Sequence, residues 1–192
     1  FISFAQLEYE TIQRIININL MGPVLMTRAF LPYLAKREKA HIANVSSMGG
    51  FVPVPGQTLY GASKAAVKLL TEGIRSELSE TNIGVSVIIP GGVSTNITKN
   101  SGVEQGTAPE PSAAERKAAA KLTTPEEAAR TIIDGIEKGK ARILIGSDSK
   151  SMDLISRIMP NRAGKIIGKM MIPMLRERFG NFRPLESRSC EA

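Results

Sequence analysis

Cysteine, histidine and tryptophan are nearly missing from this sequence, whose 192 residues contain one Cys, one His and no Trp. A single Cys, Cys190, excludes a disulfide framework and suits a reducing compartment, so we expect a cytoplasmic protein. One Cys and one His cannot supply the ligands of a Cys/His zinc site, and no metal is predicted. The sequence has no apolar run of about 18 residues or more, from which we expect no membrane-spanning helix.

The first residues, Phe1 to Gln6, have neither an initiator Met nor the basic segment and long apolar core of a signal peptide. We therefore expect a chain that is entered partway through a longer protein. Its composition is 42% hydrophobic and 22% charged, with 17 Gly and 11 Pro. These values are typical of one ordinary globular domain.

The net charge of +7 is unevenly distributed. Residues 1–139 contain 14 Lys and Arg against 13 Asp and Glu, whereas residues 140–192 contain 11 against 5. A neutral body argues against a nucleic-acid-binding surface, so no nucleic acid partner is predicted. The basic C-terminal part can contact an anionic membrane surface or an acidic partner, but a solvated basic face explains it more simply.

An amphipathic helix is predicted from about residue 7 to residue 38, because apolar side chains recur on one face. These side chains are Ile12, Ile15, Ile16 and Leu20. Asn19 is a polar residue within that stripe, and Gly22 and Pro23 follow it. An internal proline removes one backbone hydrogen bond and bends a helix. The bend would leave unpaired backbone groups beside Asn19, in a place suited to a water molecule or a ligand.

Three short apolar segments predict buried strands, at residues 41–46, 85–89 and 142–146. They alternate with helices, of which one lies near residues 58–80. Another begins at Thr124, which is followed by a proline in the first turn and a Glu three residues later. Residues 94–121 have no strong period, which is typical of a lid or a disordered loop. The apolar stripe of the 58–80 helix is Leu59, Ala62, Ala66, Leu69, Leu70, Gly73, Ile74 and Leu78.

The alternation of helices and strands predicts an α/β domain with a parallel sheet. A doubly wound nucleotide-binding fold has about six strands in two halves. Three strands therefore indicate the C-terminal half of such a Rossmann-like fold, and the first strand should have one unpaired edge. We expect residues 1–147 to form this partial domain and residues 148–192 to form a helical, basic, Met-rich extension.

Residues that could take part in catalysis or ligand binding follow two of the predicted strands and lie at the start of the helix between them. Ser47 ends the first strand, and residues 90–95, Pro-Gly-Gly-Val-Ser-Thr, end the second. Ligands of open parallel sheets bind outside these carboxyl ends. Tyr60 and Lys64 share a helix face. A phenol ordinarily ionises near pH 10, and a neighbouring ammonium favours the phenolate, so the pair could exchange a proton near neutral pH. Each feature alone is commonplace, and their convergence is the stronger signal.

A Ser–His hydrolase is excluded by the same placement. His41 and Ser47 lie at opposite ends of one predicted strand, and six steps of about 3.3 Å separate them by roughly 20 Å. The sequence also contains no G-x-S-x-G nucleophile elbow.

Four segments in this order resemble the short-chain dehydrogenase/reductase family. They are the Asn motif Asn19-Leu20-Met21-Gly22, the serine strand 44–47, the Tyr-x-x-x-Lys motif 60–64, and Pro90-Gly91 followed by Val93 and Thr95. The resemblance covers about residues 1–147. The family's Gly-rich turn, T-G-x-x-x-G-x-G, and its N-A-G motif do not occur in these 192 residues, which is why we expect a truncated chain.

The resemblance implies a role for each matching residue. Tyr60 would be the general acid and base, Ser47 would position the alcohol or carbonyl, and Lys64 would assist Tyr60 and bind the nicotinamide ribose. Asn19 would support a proton-relay water. Pro90, Gly91 and Val93 would lie along the nicotinamide ring, and Thr95 would contact its carboxamide. The implied reaction is reversible hydride transfer between NAD or NADP and a small-molecule alcohol/carbonyl pair.

Two alternatives remain at this point. The long helices could form a non-catalytic assembly module, and by resemblance a homo-dimer or tetramer is expected in either case. Residues 152–179 alternate Met and Ile with Lys and Arg, and four Pro and Gly residues should break them into short helical pieces. This extension could cover the lid or a partner subunit, contact a membrane surface, or supply soft packing for an apolar substrate.

Overall fold

The centre of the protein is a three-stranded parallel sheet. The computed structural model describes residues 1–95, 122–178 and 182. The sheet order is β1 (Ala40–Val45), β2 (Ile83–Pro90) and β3 (Arg142–Ile145). Among the described residues β1 pairs with β2 alone, so the α/β class and the free edge of β1 are as predicted. Cys190 and the predicted loop beyond residue 95 lie outside these residues.

The central strand is buried on both faces, which explains why its sequence is an almost continuous apolar run. Val85, Val87, Ile88 and Ile89 of β2 are at most 3% exposed, as expected for a parallel strand covered on both faces. Ile42 of β1, with Ile83 and Val85, packs against Leu31, Leu34, Ile74 and Leu78. Ile88, Ile143 and Ile145 pack against Ala128 from a different helix. The sheet is therefore a layer between helices.

The first long helix has a widened turn at its centre. It consists of α1 (Tyr9–Ile16), a π-helical turn (Asn17–Met21) and α2 (Gly22–Leu34). Pro23 has no N–H to donate to the carbonyl of Asn19. The Gly22 N–H instead reaches back five residues to the Asn17 carbonyl, which is a π-type bond. The predicted irregularity beside Asn19 is thus present, and the helix ends at Leu34 rather than near residue 38.

The expectation that no helix could span a membrane was too strong. The helical stretch Tyr9–Leu34 has 26 residues and a mean hydropathy of 1.2, and it is long and apolar enough to do so by length and composition. Such a test is also passed by helices of soluble domains and is weak evidence. Leu31 and Leu34 pack against the sheet core, so this stretch forms one layer of the α/β fold.

The second long helix, α3, spans Thr58–Glu77 and confirms the predicted helix, but only part of its apolar stripe, including Ile74 and Leu78, packs against the core. Its buried side chains are Ser63, Val67 and Thr71, whereas Leu69 is 70% exposed. The two hydroxyls can be buried because each donates to a helix carbonyl one turn back: Ser63 to Tyr60 and Thr71 to Val67.

Three helices complete the described fold: α4 (Pro125–Glu137), α5 (Ser147–Ile158) and α6 (Pro160–Arg178). Thr124 and Glu127 form the predicted capping box of α4. The prediction that four Pro and Gly residues break residues 152–179 into short pieces holds at Pro160, which separates α5 from α6, but is wrong beyond it, because α6 is one helix of 19 residues with Pro173 inside it. Pro160 stands at its first position, where a proline is tolerated, and an internal Gly costs only about 1 kcal/mol.

The single histidine, His41 of β1, contacts Ser86 of β2 away from the carboxyl ends of the strands, where the predicted site lies. The Ser86 hydroxyl donates to the Lys140 carbonyl at 2.6 Å, so it accepts from His41 Nε2, which lies 2.8 Å away. Burial, the charge of Arg75 and the charge of Lys39 lower the pKa of His41 below its ordinary 6.5. The neutral imidazole is therefore the form that the fold prefers.

The stability of the fold should consequently depend on His41. As the pH falls, His41 takes up a proton in the unfolded chain before it does so in the folded chain. The contribution of His41 to the free energy of unfolding is therefore complete above pH 6.5 and is lost as the pH falls from 6.5 through the lower folded-state pKa. His41→Gln keeps a side-chain N–H for Ser86 but does not titrate. Urea unfolding at about pH 7.5 and about pH 5.5 should show a weaker pH dependence for this variant. An equal dependence in both proteins would contradict the assignment.

Candidate active site

The turn after β1 joins this strand to α3. The Ser46 N–H donates to the Ile88 carbonyl, and the Ser46 hydroxyl donates to the Lys64 carbonyl at 2.7 Å. Ser47 begins a short 3₁₀ turn, Met48–Gly50, and its Oγ accepts from the Gly49 N–H at 3.2 Å. A hydroxyl that accepts in this way still has its own proton to donate. The Ser47 hydroxyl is thus held in place at the carboxyl end of the sheet and can donate a hydrogen bond to a ligand.

Tyr60 and Lys64 lie one turn apart near the start of α3. The Lys64 ammonium is 5.9 Å from the centre of the Tyr60 ring and donates to the Val45 carbonyl at 3.1 Å. Burial lowers the pKa of Lys64 from its ordinary 10.5. The structure therefore brings a cation to the tyrosine ring at the end of β1, as the i, i+4 spacing predicts.

Gly49 connects the serine to the tyrosine. A methyl group built on Gly49 would lie 3.6 Å from Ser47 Oγ and 3.6 Å from Tyr60 Cε1. The two side chains therefore border one small space that the absence of a Cβ leaves open. Gly61 allows this close approach, because a methyl group there would lie only 2.8 Å from the Gly49 carbonyl oxygen. Ser47 and Tyr60 thus border one crevice, and the Lys64 ammonium lies near the Tyr60 ring.

Asn19 reaches the tyrosine by a different route from the predicted one. Its side-chain amide donates to Ser63 Oγ at 3.1 Å, and Ser63 donates to the Tyr60 carbonyl at 2.7 Å. Ser63 is 1% exposed. Sequence reasoning missed this serine, although its place three residues after Tyr60 permits a bond to that carbonyl. The expected water between Asn19 and Lys64 stays a prediction.

The segment after β2 lies at the same edge. Val45 of β1 is opposite Ile88 of β2, so Ser47 comes opposite Pro90 if the register continues. The Gly91 N–H donates to the Ile145 carbonyl, and the Gly92 N–H donates to the Asp148 carboxylate at 2.6 Å. Val93 pairs with Thr123, and the exposed Thr95 donates its N–H to the Val93 carbonyl. Asp148 was not among the predicted site residues.

A cavity of about 470 Å³ lies beside this crevice. It is lined by residues 49–55, the first turns of α3 and Gly164. The lining is mainly apolar, with Phe51, Val52 and Val54 among it. Gly49 borders both the cavity and the space between Ser47 and Tyr60. Ser47, Tyr60 and Lys64 are not among its lining residues, so the cavity meets the crevice at Gly49.

The groups at this edge suit the nicotinamide and ribose half of a dinucleotide. A lysine ammonium and a phenol can hold ribose hydroxyls, and the backbone of residues 90–93 can pass along a flat ring. Among the described residues, no group of three His, Cys, Asp or Glu side chains could hold a metal ion. The arrangement can place the Ser47 hydroxyl and the Tyr60 side chain at one substrate oxygen, with the Lys64 ammonium near the Tyr60 ring.

Related sequences share this set of segments. The family model described as short chain dehydrogenase matches residues 2–106. SadH of Mycobacterium tuberculosis, whose name classes it as an oxidoreductase, is 36% identical over 162 residues, which are 83% of this chain and 59% of that protein. Dehydrogenase/reductase SDR family member 7B of Mus musculus is 33% identical over 165 residues, 80% of this chain and 49% of that protein. The chain belongs to the short-chain dehydrogenase family.

Solved structures show the same fold. A short-chain dehydrogenase from Streptomyces avermitilis has a TM-score of 0.65 and 26% identity, over 88% of this chain and 64% of that one. One from Burkholderia cenocepacia in complex with NADP has a TM-score of 0.67 and 24% identity, over 83% and 60%. The Rossmann-like α/β fold is therefore confirmed. The chain spans about half to three fifths of the length of the curated relatives it matches.

Proposed function

We propose that this chain carries the catalytic groups of an NAD(P)-dependent oxidoreductase that interconverts an alcohol and a carbonyl compound. One observation supports this above all. The Ser47 hydroxyl and the Tyr60 ring border the same open space across Gly49, and the Lys64 ammonium lies 5.9 Å from that ring. Family membership supplies the reaction class, and this arrangement supplies the groups that the reaction needs.

The proposed work of the protein side chains is to orient the substrate and to handle one proton. Ser47 Oγ donates a hydrogen bond to the substrate oxygen, and Tyr60 Oη gives that oxygen its proton during reduction or removes it during oxidation. The Lys64 ammonium offsets negative charge on the phenol oxygen between these steps. The bound nicotinamide supplies the hydride for reduction and accepts it for oxidation.

The remaining site residues are proposed to hold the cofactor. Lys64 and Tyr60 would bind the nicotinamide ribose, Pro90, Gly91 and Val93 would lie along the ring, and Thr95 would contact the carboxamide. Asn19 is proposed to act on Tyr60 through Ser63, whose hydroxyl bonds to the Tyr60 carbonyl. Structural neighbours were solved with NADP and with NADH, so either cofactor is proposed.

The substrate is proposed to be a small molecule with an apolar part. The apolar cavity beside Gly49 can take that part while the oxygen lies between Ser47 and Tyr60. The test is oxidation of NADH and NADPH by the full-length gene product against a panel of aldehydes and of small and bulky apolar ketones. We expect turnover, with apolar ketones preferred. A full-length protein that binds neither NADH nor NADPH by calorimetry would contradict the proposal.

Gly49→Ala should block the substrate without unfolding the protein. The added methyl group lies in ordinary contact, 3.6 Å from Ser47 Oγ and from Tyr60 Cε1, and so fills the space proposed for the substrate oxygen. We expect kcat/KM for the carbonyl substrate to fall about 100-fold, since small misplacements of a reacting group cost this much. Steady-state kinetics and cofactor calorimetry would measure the effect, with cofactor affinity retained.

The matched control is Gly73→Ala on α3, where a methyl group meets no atom within 4 Å. This variant should keep wild-type kinetics and gain about 0.5 to 1 kcal/mol of stability from better helix propensity. Wild-type turnover in Gly49→Ala would show that the substrate oxygen binds elsewhere.

A second candidate role is assembly through the long helices. Large apolar side chains are exposed on α2 and α3: Leu25, Met26, Phe30, Tyr33 and Leu69. An apolar surface of this kind suits a protein partner, and we propose a homo-dimer or tetramer in addition to catalysis. The cytoplasmic location and membrane-surface contact by the C-terminal extension likewise stay proposals. Exposed Met170 and Met174 beside basic residues of α6 favour the latter.

A further inference from the structure

Asp148 lies outside the residues so far given a role, yet its carboxylate holds the segment after β2. It is in the first turn of α5, directly after β3 and Gly146. One carboxylate oxygen accepts from the Gly92 N–H at 2.6 Å, and the other accepts from the N–H of Ser149 at 2.9 Å. Hydrogen bonds to an ionised group are stronger than neutral ones. Gly92 is therefore fixed from a different element.

The glycines around Asp148 make room for this carboxylate. A methyl group built on Gly91 or on Gly146 would overlap it, and Gly146 also has a φ of +86° that other residues rarely adopt. Three residues of one Gly-rich neighbourhood, 91, 92 and 146, thus surround a single charged group. In the sequence, the only indication of this contact is the placement of the glycines: Gly91-Gly92 follow one strand, and Gly146 follows the next.

The same region has further backbone ties. The Gly92 carbonyl accepts from the Thr123 N–H at 3.1 Å, so both polar groups of Gly92 are paired. The neighbouring Ser149, fully buried, donates its hydroxyl to the Ile89 carbonyl at 2.8 Å. Helix α5 also contacts the Met48–Gly50 turn that follows Ser47. Helix α5 therefore contacts both the end of β2, through Asp148 and Ser149, and the turn that follows Ser47.

We propose that Asp148 is a positioning residue for hydride transfer. By fixing Gly92, Asp148 would fix the position of the backbone of residues 90–93, along which the nicotinamide ring would lie. It would therefore control the distance between that ring and the substrate carbon. This inference rests on the proposed function. It differs from a purely structural role because it predicts a change in the chemical step rather than in folding alone.

The test compares Asp148→Ala, Asp148→Asn and Asp153→Asn in the full-length gene product. Asp153 is the matched control, since it lies on the same helix but pairs with Arg142 and Arg157 instead of the loop. Asp148→Ala should speed hydrogen exchange of the Gly92 amide about tenfold, because its hydrogen bond is lost. It should also lower kcat about 10- to 100-fold and raise the primary deuterium isotope effect on kcat, measured with a cofactor deuterated at C4 of the nicotinamide. KM for the carbonyl substrate should change little.

Asp148→Asn keeps one acceptor oxygen and should fall between the wild type and Asp148→Ala. Asp153→Asn should lower the unfolding midpoint while leaving Gly92 exchange and the isotope effect unchanged. The inference is overturned if Asp148→Ala matches the wild type in exchange and kcat, or if Asp153→Asn reproduces its effects. A wild-type protein that binds no NADH or NADPH overturns the proposed function instead, and Gly92 exchange still reports whether Asp148 holds the loop.

Discussion

Replacing Tyr60 by Phe is expected to lower kcat by about 1,000-fold, because general acid–base catalysis by a positioned side chain contributes about 10²- to 10⁴-fold. The variant loses one oxygen atom, and with it the only group proposed to exchange a proton with the substrate. Ser47 and Lys64 stay in place, because neither hydrogen bond described for them involves the phenol oxygen. Affinity for NADH or NADPH should therefore change much less than turnover.

The control for this variant is Tyr33→Phe. Tyr33 lies on α2, is 66% exposed and belongs to the apolar surface proposed for assembly. Phe keeps the apolar ring of that surface, so the loss of the hydroxyl should affect neither kcat nor cofactor binding. Single-turnover reduction and calorimetry on both variants would separate the chemical step from binding. Normal turnover in Tyr60→Phe, or a similar loss in Tyr33→Phe, would show that the proton donor is another group.

The parts of the fold that sequence predicted are those set by local pattern. The apolar run of β2 indicates a buried parallel strand, and the Thr124 capping box marks the start of α4. Pro23 indicates an irregularity beside Asn19, which takes the form of the π-helical turn. Tyr60 and Lys64 were predicted to lie together because helix geometry alone places them on one face. Ser47 was predicted to lie near residues 90–95 because parallel strands end at one edge of the sheet, and near Tyr60 because the helix between the two strands begins there.

The parts that sequence missed depend on contacts between distant segments. Ser63 meets Asn19, 44 residues away, and Asp148 meets Gly92, 56 residues away. No periodicity within one element encodes such a pair. The face of α3 was partly misjudged for a related reason: Asn19 and Asn44, from other elements, donate to Ser63 and Thr71, so these hydroxyls lie on the buried side while Leu69 is exposed.

Lys64→Met should remove activity without weakening the fold. The substitution keeps most of the side-chain length but removes the cation beside the Tyr60 ring, and we expect kcat/KM to fall by about 100-fold or more. Burial lowers the pKa of Lys64, which means that the folded state disfavours the ammonium. At neutral pH the charge is thus a cost to stability, so the variant should be at least as stable as the wild type.

The lowered pKa of Lys64 also makes the free energy of unfolding depend on pH. The unfolded chain holds the Lys64 proton up to 10.5 and the folded chain releases it at lower pH, so wild-type stability should rise through the alkaline range below 10.5. Lys64→Met should lack that rise. Lys68→Met is the control, since Lys68 forms a partly buried ion pair with Glu72 one helix turn away, 2.8 Å long, and i, i+4 pairs contribute only about 0.3 to 0.5 kcal/mol. A Lys64→Met protein that turns over normally, or that unfolds more easily than Lys68→Met, would mean that the lysine acts as a structural residue.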